Sequence, residues 1–351
     1  MSEWRHIAAF AAHFARCDLA DGEVVALLSE SQSRQSLVET ARLAAQSLGG
    51  RVFDVVVPTP PSQHPVPIRS TGASQALAGN QAVIAALSTA GMVIDCTVEG
   101  LLHAPELASI LAGGARVLMI SNEHPDIFER LGWGPDLPRR VGLAHELLHN
   151  ARQMRVTSEA GTNLTVDLAG AFTAGSTGVT AGPGSIAHWP GGLVIAFPAA
   201  NSVNGRLVMA AGDMNLTFNR IVESPIELTI VDDHITEVGG GGVDAQLFRS
   251  YLASFGDRAS YATSHVGWGM NEAARWETAE LYDRRETWGT EARAVAGNFL
   301  YSTGANEVAG RFTAGHFDLP MRHCTVELDG TPVVVRGQLV PPLSNVQEGE
   351  R

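Results

Sequence analysis

The side chains in this sequence best suited to chemistry are histidines and carboxylates, gathered in two short constellations. One is His316-Phe317-Asp318. On an extended segment residues i and i+2 point to one side, so this imidazole and carboxylate converge. A further histidine would complete a two-histidine, one-carboxylate set, the arrangement that suits non-haem Fe(II). His265 is the best candidate, in the glycine- and tryptophan-bearing stretch Ser264-His265-Val266-Gly267-Trp268-Gly269-Met270-Asn271. A salt-bridged pair at a strand end would look the same, and spacing does not choose between the two. The other constellation is His145-Glu146-Leu147-Leu148-His149, a literal HExxH. On a helix its histidines share a face and could bind zinc, with Glu146 as general base. No GxxH follows it, and the plainer reading is an amphipathic helix with Leu143, Leu147 and Leu148 inward and the histidines at its polar edge.

Composition narrows the chemistry. All 24 basic residues among the 351 are arginine, and there is no lysine. That excludes a Schiff-base lysine, a P-loop, a kinase-type phosphate lysine and a Ser-Lys dyad. Electrophiles must be activated by arginine, histidine, backbone dipoles or a metal. A net charge of −13 without a basic run argues against nucleic acid or an anionic membrane as partner. Cys17, Cys96 and Cys324 are odd in number, widely spaced and form no CxxC, as in a reducing compartment. The N-terminus lacks a signal-peptide cleavage pattern and no apolar run reaches the roughly 18 residues of a membrane span. The expected location is cytoplasmic.

The elements that would position these residues divide the chain in two. Residues 1–152 alternate strands and helices: strands at Val24–Leu28, Val52–Val57, Met92–Cys96 and Val117–Ser121, helices at Ser33–Leu48, Gln81–Ala90 and Ala104–Leu111, and a loop at Pro58–Pro67. This predicts an α/β domain with a parallel, doubly wound sheet. No GxGxxG follows the first strand, so a nucleotide site is not indicated. Residues 153–351 carry alternating, β-branched runs at 155–157, 163–166, 193–197, 206–209 and 226–231, with turns such as Asn204-Gly205 and a few helices, among them Asp244–Phe255. They predict an α+β domain with a mixed, mainly antiparallel sheet. The polar tail from Pro341 is expected to fray.

Larger segments carry a resemblance. Gly315-His316-Phe317-Asp318-Leu319-Pro320-Met321-Arg322 with Cys324–Gly330, Pro190–Val194 through Asn201–Gly205, and Gly161–Thr165 resemble the M29 aminopeptidase-like superfamily. The peptidases of that superfamily bind two metals. Leu193 and His265 stand where they have ligand glutamates, and a ligand histidine is missing around Gly297–Ser302. A mononuclear set remains: His265, His316 and Asp318. Ser264–Asn271 and Gly297–Glu307 are most similar to the oxygenase branch, the 2,5-dihydroxypyridine 5,6-dioxygenases. The resemblance implies an M29-like fold, Fe(II), O2, and cleavage of the C5–C6 bond of an N-heteroaromatic ring to N-formylmaleamate. It also implies a homo-oligomer.

His103 is the candidate acid–base residue. It follows the Met92–Cys96 strand, where α/β folds place ligands, and it forms a Leu102-His103 pair like that of the dioxygenases. Leu102, His188, Arg293 and Ser302 are candidates for holding the substrate, arginine being the only fixed cation available. His6, His13, His64, His124, His234 and His323 are read as surface or packing residues, His323 being near enough to the ligands to support them. Three other readings compete. A metallo-aminopeptidase would need two metals, a non-catalytic homologue would hold a closed metal clip, and in a 2-oxoglutarate oxygenase the distal histidine follows the HxD, whereas His265 precedes it.

Overall fold

The computed structural model describes residues 3–61, 74–132, 134–283 and 287–344. His64, residues 62–67 of the expected loop and residues 345–351 of the tail lie outside them. Four apolar runs, Val24–Glu30, Arg51–Val57, Met92–Asp95 and Arg116–Met119, pair in parallel with Ile186–His188 at one edge, the Val24–Glu30 strand lying between the second and third. The central strands are apolar on both faces, as a sheet covered on both sides requires. Val25, Leu27, Met92 and Ile94 pack with the helices Trp4–Arg16, Gln35–Ser47 and Pro125–Leu131. Ala26, Leu28, Val93 and Val117 pack with Gln81–Ser88 and Leu107–Ala112 on the opposite face. The last helix begins three residues later than its periodicity predicts. Ala104 precedes Pro105, and the residue before a proline is kept out of the helical region.

Apart from the short antiparallel pair Met214–Asn215 and Arg220–Ile221, the remaining described strands form two antiparallel sheets over one core. One is eight-stranded, running from His234–Gly239 at one edge to Gln338–Leu339 at the other. The second has the order Phe317–Met321, Phe299–Thr303, Thr263–Gly269, Leu193–Phe197, Phe172–Ser176. Its Val194, Ala196, Val266, Trp268, Phe299, Tyr301, Phe317 and Leu319 enter the shared core, with the helices Val243–Ser254 and Leu137–Asn150. Side chains alternate across a strand, so the opposite face of this sheet is left to carry other groups.

Two features run across the expected division at residue 152. Ile186–His188 joins the parallel sheet, and Leu137–Asn150 packs into the second core. The tail is not frayed at its start. Leu343 is buried and its carbonyl accepts from Arg140 Nε at 3.1 Å. Among the described residues no helix is long and apolar enough to cross a membrane.

Candidate metal centre and its surroundings

Three elements of the second sheet bring the candidate ligands together. His265 sits where the register of Thr263–Gly269 against Phe299–Thr303 shifts, between Thr263 and Val266. Such an irregularity re-aims a side chain. Ser302 and Asp318 are direct cross-strand partners and therefore share a face. His316 lies two residues before Asp318. Thr217 pins this segment, its hydroxyl donating to the His316 carbonyl at 3.1 Å and accepting from the Asp318 N–H at 3.3 Å.

The geometry suits a cation. His265 Nε2 and His316 Nε2 lie 3.6 and 3.2 Å from Asp318 Oδ1, all three side chains being buried. Adjacent ligands on one ion, with bonds of about 2.0–2.2 Å, stand about 3 Å apart. Each imidazole–carboxylate pair is therefore near ligating distance, while the two imidazoles must draw towards each other because the three ligand atoms do not all lie within 4.8 Å of one another. The tautomer of His265 follows from its neighbours. The single Ser264 hydroxyl proton goes to the Ala305 carbonyl, so the 3.0 Å contact between Ser264 Oγ and His265 Nδ1 has Nδ1–H donating. Nε2 then presents a lone pair towards a carboxylate, two acceptors with no proton between them. A metal ion would resolve that repulsion, and the hydrogen bond at Nδ1 would orient the ring for it. Burial pushes the His265 imidazole down to about 3, with Asp318 opposing and His316 adding to the depression. It therefore offers its neutral, ligating form at neutral pH. Burial alone would raise Asp318, but Arg293 and His316 outweigh it and hold the carboxyl well below its ordinary range. Ser302 Oγ donates to Asp318 Oδ1.

Arg293 lies on the outer side of the same carboxylate, Nε 2.7 Å from Asp318 Oδ2. That N–H is not aligned on the oxygen, so the contact is an ion pair rather than a directed hydrogen bond. Its Nη1 reaches His188 Nε2 at 3.2 Å. Burial, then the Arg293 charge, lower His188 to about 3, so it accepts from the guanidinium as a neutral ring.

His103 comes from the other half of the molecule. Its ring centroid is 5.6 Å from that of His316 and 6.3 Å from that of His265. Burial, then His316, lower it to about 4 against the pull of Asp318. Phe197 lies beside both, 5.0 Å from His265 and 6.4 Å from His103, with the half-exposed Phe172 6.1 Å beyond it. Leu102 stands exposed next to His103. Imidazole, carboxylate and guanidinium groups thus gather beside an aromatic ring. Phe197, Ser264 and Thr217 were not singled out from the sequence; their roles exist only through strand register and loop packing.

The other described histidines are accounted for elsewhere. His145 and His149 share Thr173, at 3.2 and 3.0 Å from its hydroxyl, while Glu146 is exposed on another face of the helix. His6 clusters with Asp126 and Glu129 within 4.8 Å, but Arg5 already pairs with both carboxylates. His13 is buried, its Nε2 2.8 Å from the Gly178 carbonyl. His124 caps the Pro125–Leu131 helix, and Nδ1 of the half-exposed His234 lies 2.8 Å from the Asp232 carbonyl. His323 is exposed and lines a separate cleft of about 360 Å³ with Asp213, Arg322 and Arg336. None of the residues lining that cleft belongs to the candidate centre.

The profile of the 2,5-dihydroxypyridine 5,6-dioxygenase family matches residues 5–341. A 2,5-dihydroxypyridine 5,6-dioxygenase of Pseudomonas putida is 37% identical over 324 residues, covering 91% of each chain. The solved structure of 2,5-dihydroxypyridine dioxygenase from Pseudomonas putida KT2440 superposes with a TM-score of 0.90 at 34% identity, over 96% of this chain and 97% of that one. Wild-type AmpT from Thermus thermophilus, an M29 aminopeptidase, shares the fold alone, with a TM-score of 0.61 at 15% identity over 96% and 99% of the two chains.

Proposed function

The chain belongs to the 2,5-dihydroxypyridine 5,6-dioxygenase family, and from that premise we propose that it opens 2,5-dihydroxypyridine between C5 and C6. Both atoms of O2 enter the product, N-formylmaleamate. The family implies a metal cofactor, and the ligand set favours Fe(II), since two imidazoles and one carboxylate are the set that suits it. The observation that carries the reading is the convergence of His265, His316 and Asp318 opposite a neutral His103.

Held by His265, His316 and Asp318, the ion would supply Lewis acidity that lowers the pKa of the substrate hydroxyl. The protein does the rest. His103, neutral and close to the ligands, accepts the hydroxyl proton of the incoming substrate and can return it as the ring opens. Phe197 offers an apolar face for a flat heteroaromatic ring, with Leu102 at the rim. Arg293 and Ser302 keep Asp318 ionised and oriented, and Arg293 with His188 faces the polar atoms of the ring. Residues 1–152 thus contribute the His103 loop and residues 153–351 the ligands.

The test is oxygen uptake. Protein reconstituted anaerobically with Fe(II) should consume one O2 per 2,5-dihydroxypyridine and form N-formylmaleamate. No uptake with full iron loading would overturn the assignment. Two metal equivalents per chain with activity on peptides would instead indicate the aminopeptidase reading.

A further inference from the structure

Two buried carboxylates stand away from the metal centre and take no part in the chemistry described so far. Glu30 is 2% exposed at the end of Val24–Glu30, and Asp95 is 0% exposed at the end of the neighbouring parallel strand, Met92–Asp95. Buried charges persist where something pairs with them. Here the partners are the backbone N–H groups of a single loop. Asp95 Oδ1 accepts from Thr97 N at 2.9 Å and from the Thr97 hydroxyl at 2.6 Å, and its Oδ2 accepts from Leu101 N at 2.8 Å. Glu30 Oε1 accepts from Val98 N at 3.0 Å. The Thr97 hydroxyl in turn accepts from Gly100 N at 3.1 Å, and Ala104 N closes the turn onto the Leu101 carbonyl at 2.9 Å. Gly100 takes φ +76° with its Cα against the Met119 side chain, a conformation that favours glycine. Every one of these bonds falls on the segment that ends in Leu102-His103.

We infer that Glu30 and Asp95 are positioning residues for the ring-opening reaction, together anchoring the 97–101 loop so that His103 meets the substrate at a fixed point over the metal ligands. A carboxylate suits this task better than an amide. Asp95 receives three donors on two oxygens, and an amide would turn an NH2 towards one of them. Burial, opposed by the Thr97 and Leu101 donors, pushes Asp95 up to about 6, so those donors are what keep it a charged acceptor near neutrality. An acid–base group displaced by about 1 Å can lose on the order of 10²-fold in rate.

The inference rests on the reading of His103 given above, and a double-mutant cycle separates the two. Asp95→Asn should lower kcat by about 10- to 100-fold while KM for 2,5-dihydroxypyridine and the iron content stay at wild-type values. In a His103→Ala background the same substitution should add nothing, because the group it positions is gone. If His103→Ala is itself fully active, the reading of His103 fails. If His103→Ala is impaired but Asp95→Asn is silent, or its effect multiplies with that of His103→Ala, the positioning role fails. Should Asp95→Asn not fold, Thr97→Val and Thr97→Ser ask the same question. Valine removes the hydroxyl bridge and should lower kcat, serine should restore it, and equal kcat in the two overturns the inference.

Discussion

At the scale of single residues, the centre depends on which atoms carry protons. Ser264 spends its proton on a carbonyl, His265 spends Nδ1–H on Ser264, and the remaining lone pair faces the Asp318 carboxylate, where a cation would satisfy both. The same logic gives Ser302 a supporting part in the proposed centre, since it donates to the Asp318 carboxylate without being one of the proposed ligands. Ser302→Ala should weaken iron binding about 10- to 100-fold, the usual loss when a hydrogen bond to a ligand is removed. Titration of the apoprotein with Fe(II) under anaerobic conditions measures this, and an unchanged affinity would remove Ser302 from the centre. His103→Ala should retain one iron per chain and lose about 10²- to 10⁴-fold in kcat. Iron analysis beside oxygen-electrode rates distinguishes this from a loss of metal.

The elements that hold the centre carry constraints of their own. Gly267 lies two residues after His265, where the Thr263–Gly269 strand passes the Leu193–Phe197 strand so closely that a Cβ would overlap the Val194 carbonyl. Gly267→Ala should therefore cost more than about 3 kcal/mol, because two paired strands must separate to admit a methyl group. Gly241→Ala, with nothing within 4 Å of the added carbon, is the control and should be nearly neutral. Urea unfolding of both variants reads the difference, and similar midpoints would contradict the packing argument. A second element-level device is Glu123, buried after the Arg116–Met119 strand. It accepts from Thr287 Oγ1, Trp288 N, Thr290 N and Thr290 Oγ1. Those four bonds fasten the turn that delivers Arg293 to the parallel sheet.

Across the whole molecule, buried ionisable groups set how the fold responds to acid. His13 is held neutral by burial, its pKa lowered to about 4 despite a hydrogen bond to the Gly178 carbonyl. Above about pH 6.5 the imidazole is neutral in both folded and unfolded chains and contributes no pH dependence. Between about 6.5 and 4 the unfolded chain takes up a proton that the folded one refuses, so stability falls as the pH falls, by about 3 kcal/mol in total for this site. Asp95 and Asp213, each pushed up to about 6 by burial, act in the opposite sense and gain stability as they protonate. His13→Gln keeps a donor for the carbonyl without the titration. Its urea midpoint should drop less than that of the wild type between pH 7 and 4.5, and parallel curves would refute the assignment.

Local signals in the sequence determined much of this protein. Apolar periodicity located the first four parallel strands and the Val243–Ser254 helix, because burying one face of a strand or helix leaves a period of 2 or 3.6 in the chain. The His316–Asp318 spacing marked a convergent pair, since i and i+2 share a side on any strand. The absence of lysine leaves arginine, histidine, backbone dipoles or a metal to activate an electrophile. Other features depend on residues far apart in sequence and leave no local trace. The Ile186–His188 strand crosses to the parallel sheet, and Leu343 is buried instead of frayed. Phe197 becomes a wall of the site only through its pairing beside His265. HExxH and HxD are equally legible as motifs, yet in the fold one pair of histidines closes on a threonine hydroxyl and the other on an ionised aspartate. The tertiary structure made that choice, because the field and the proton inventory around an imidazole are set by whichever groups the fold packs against it.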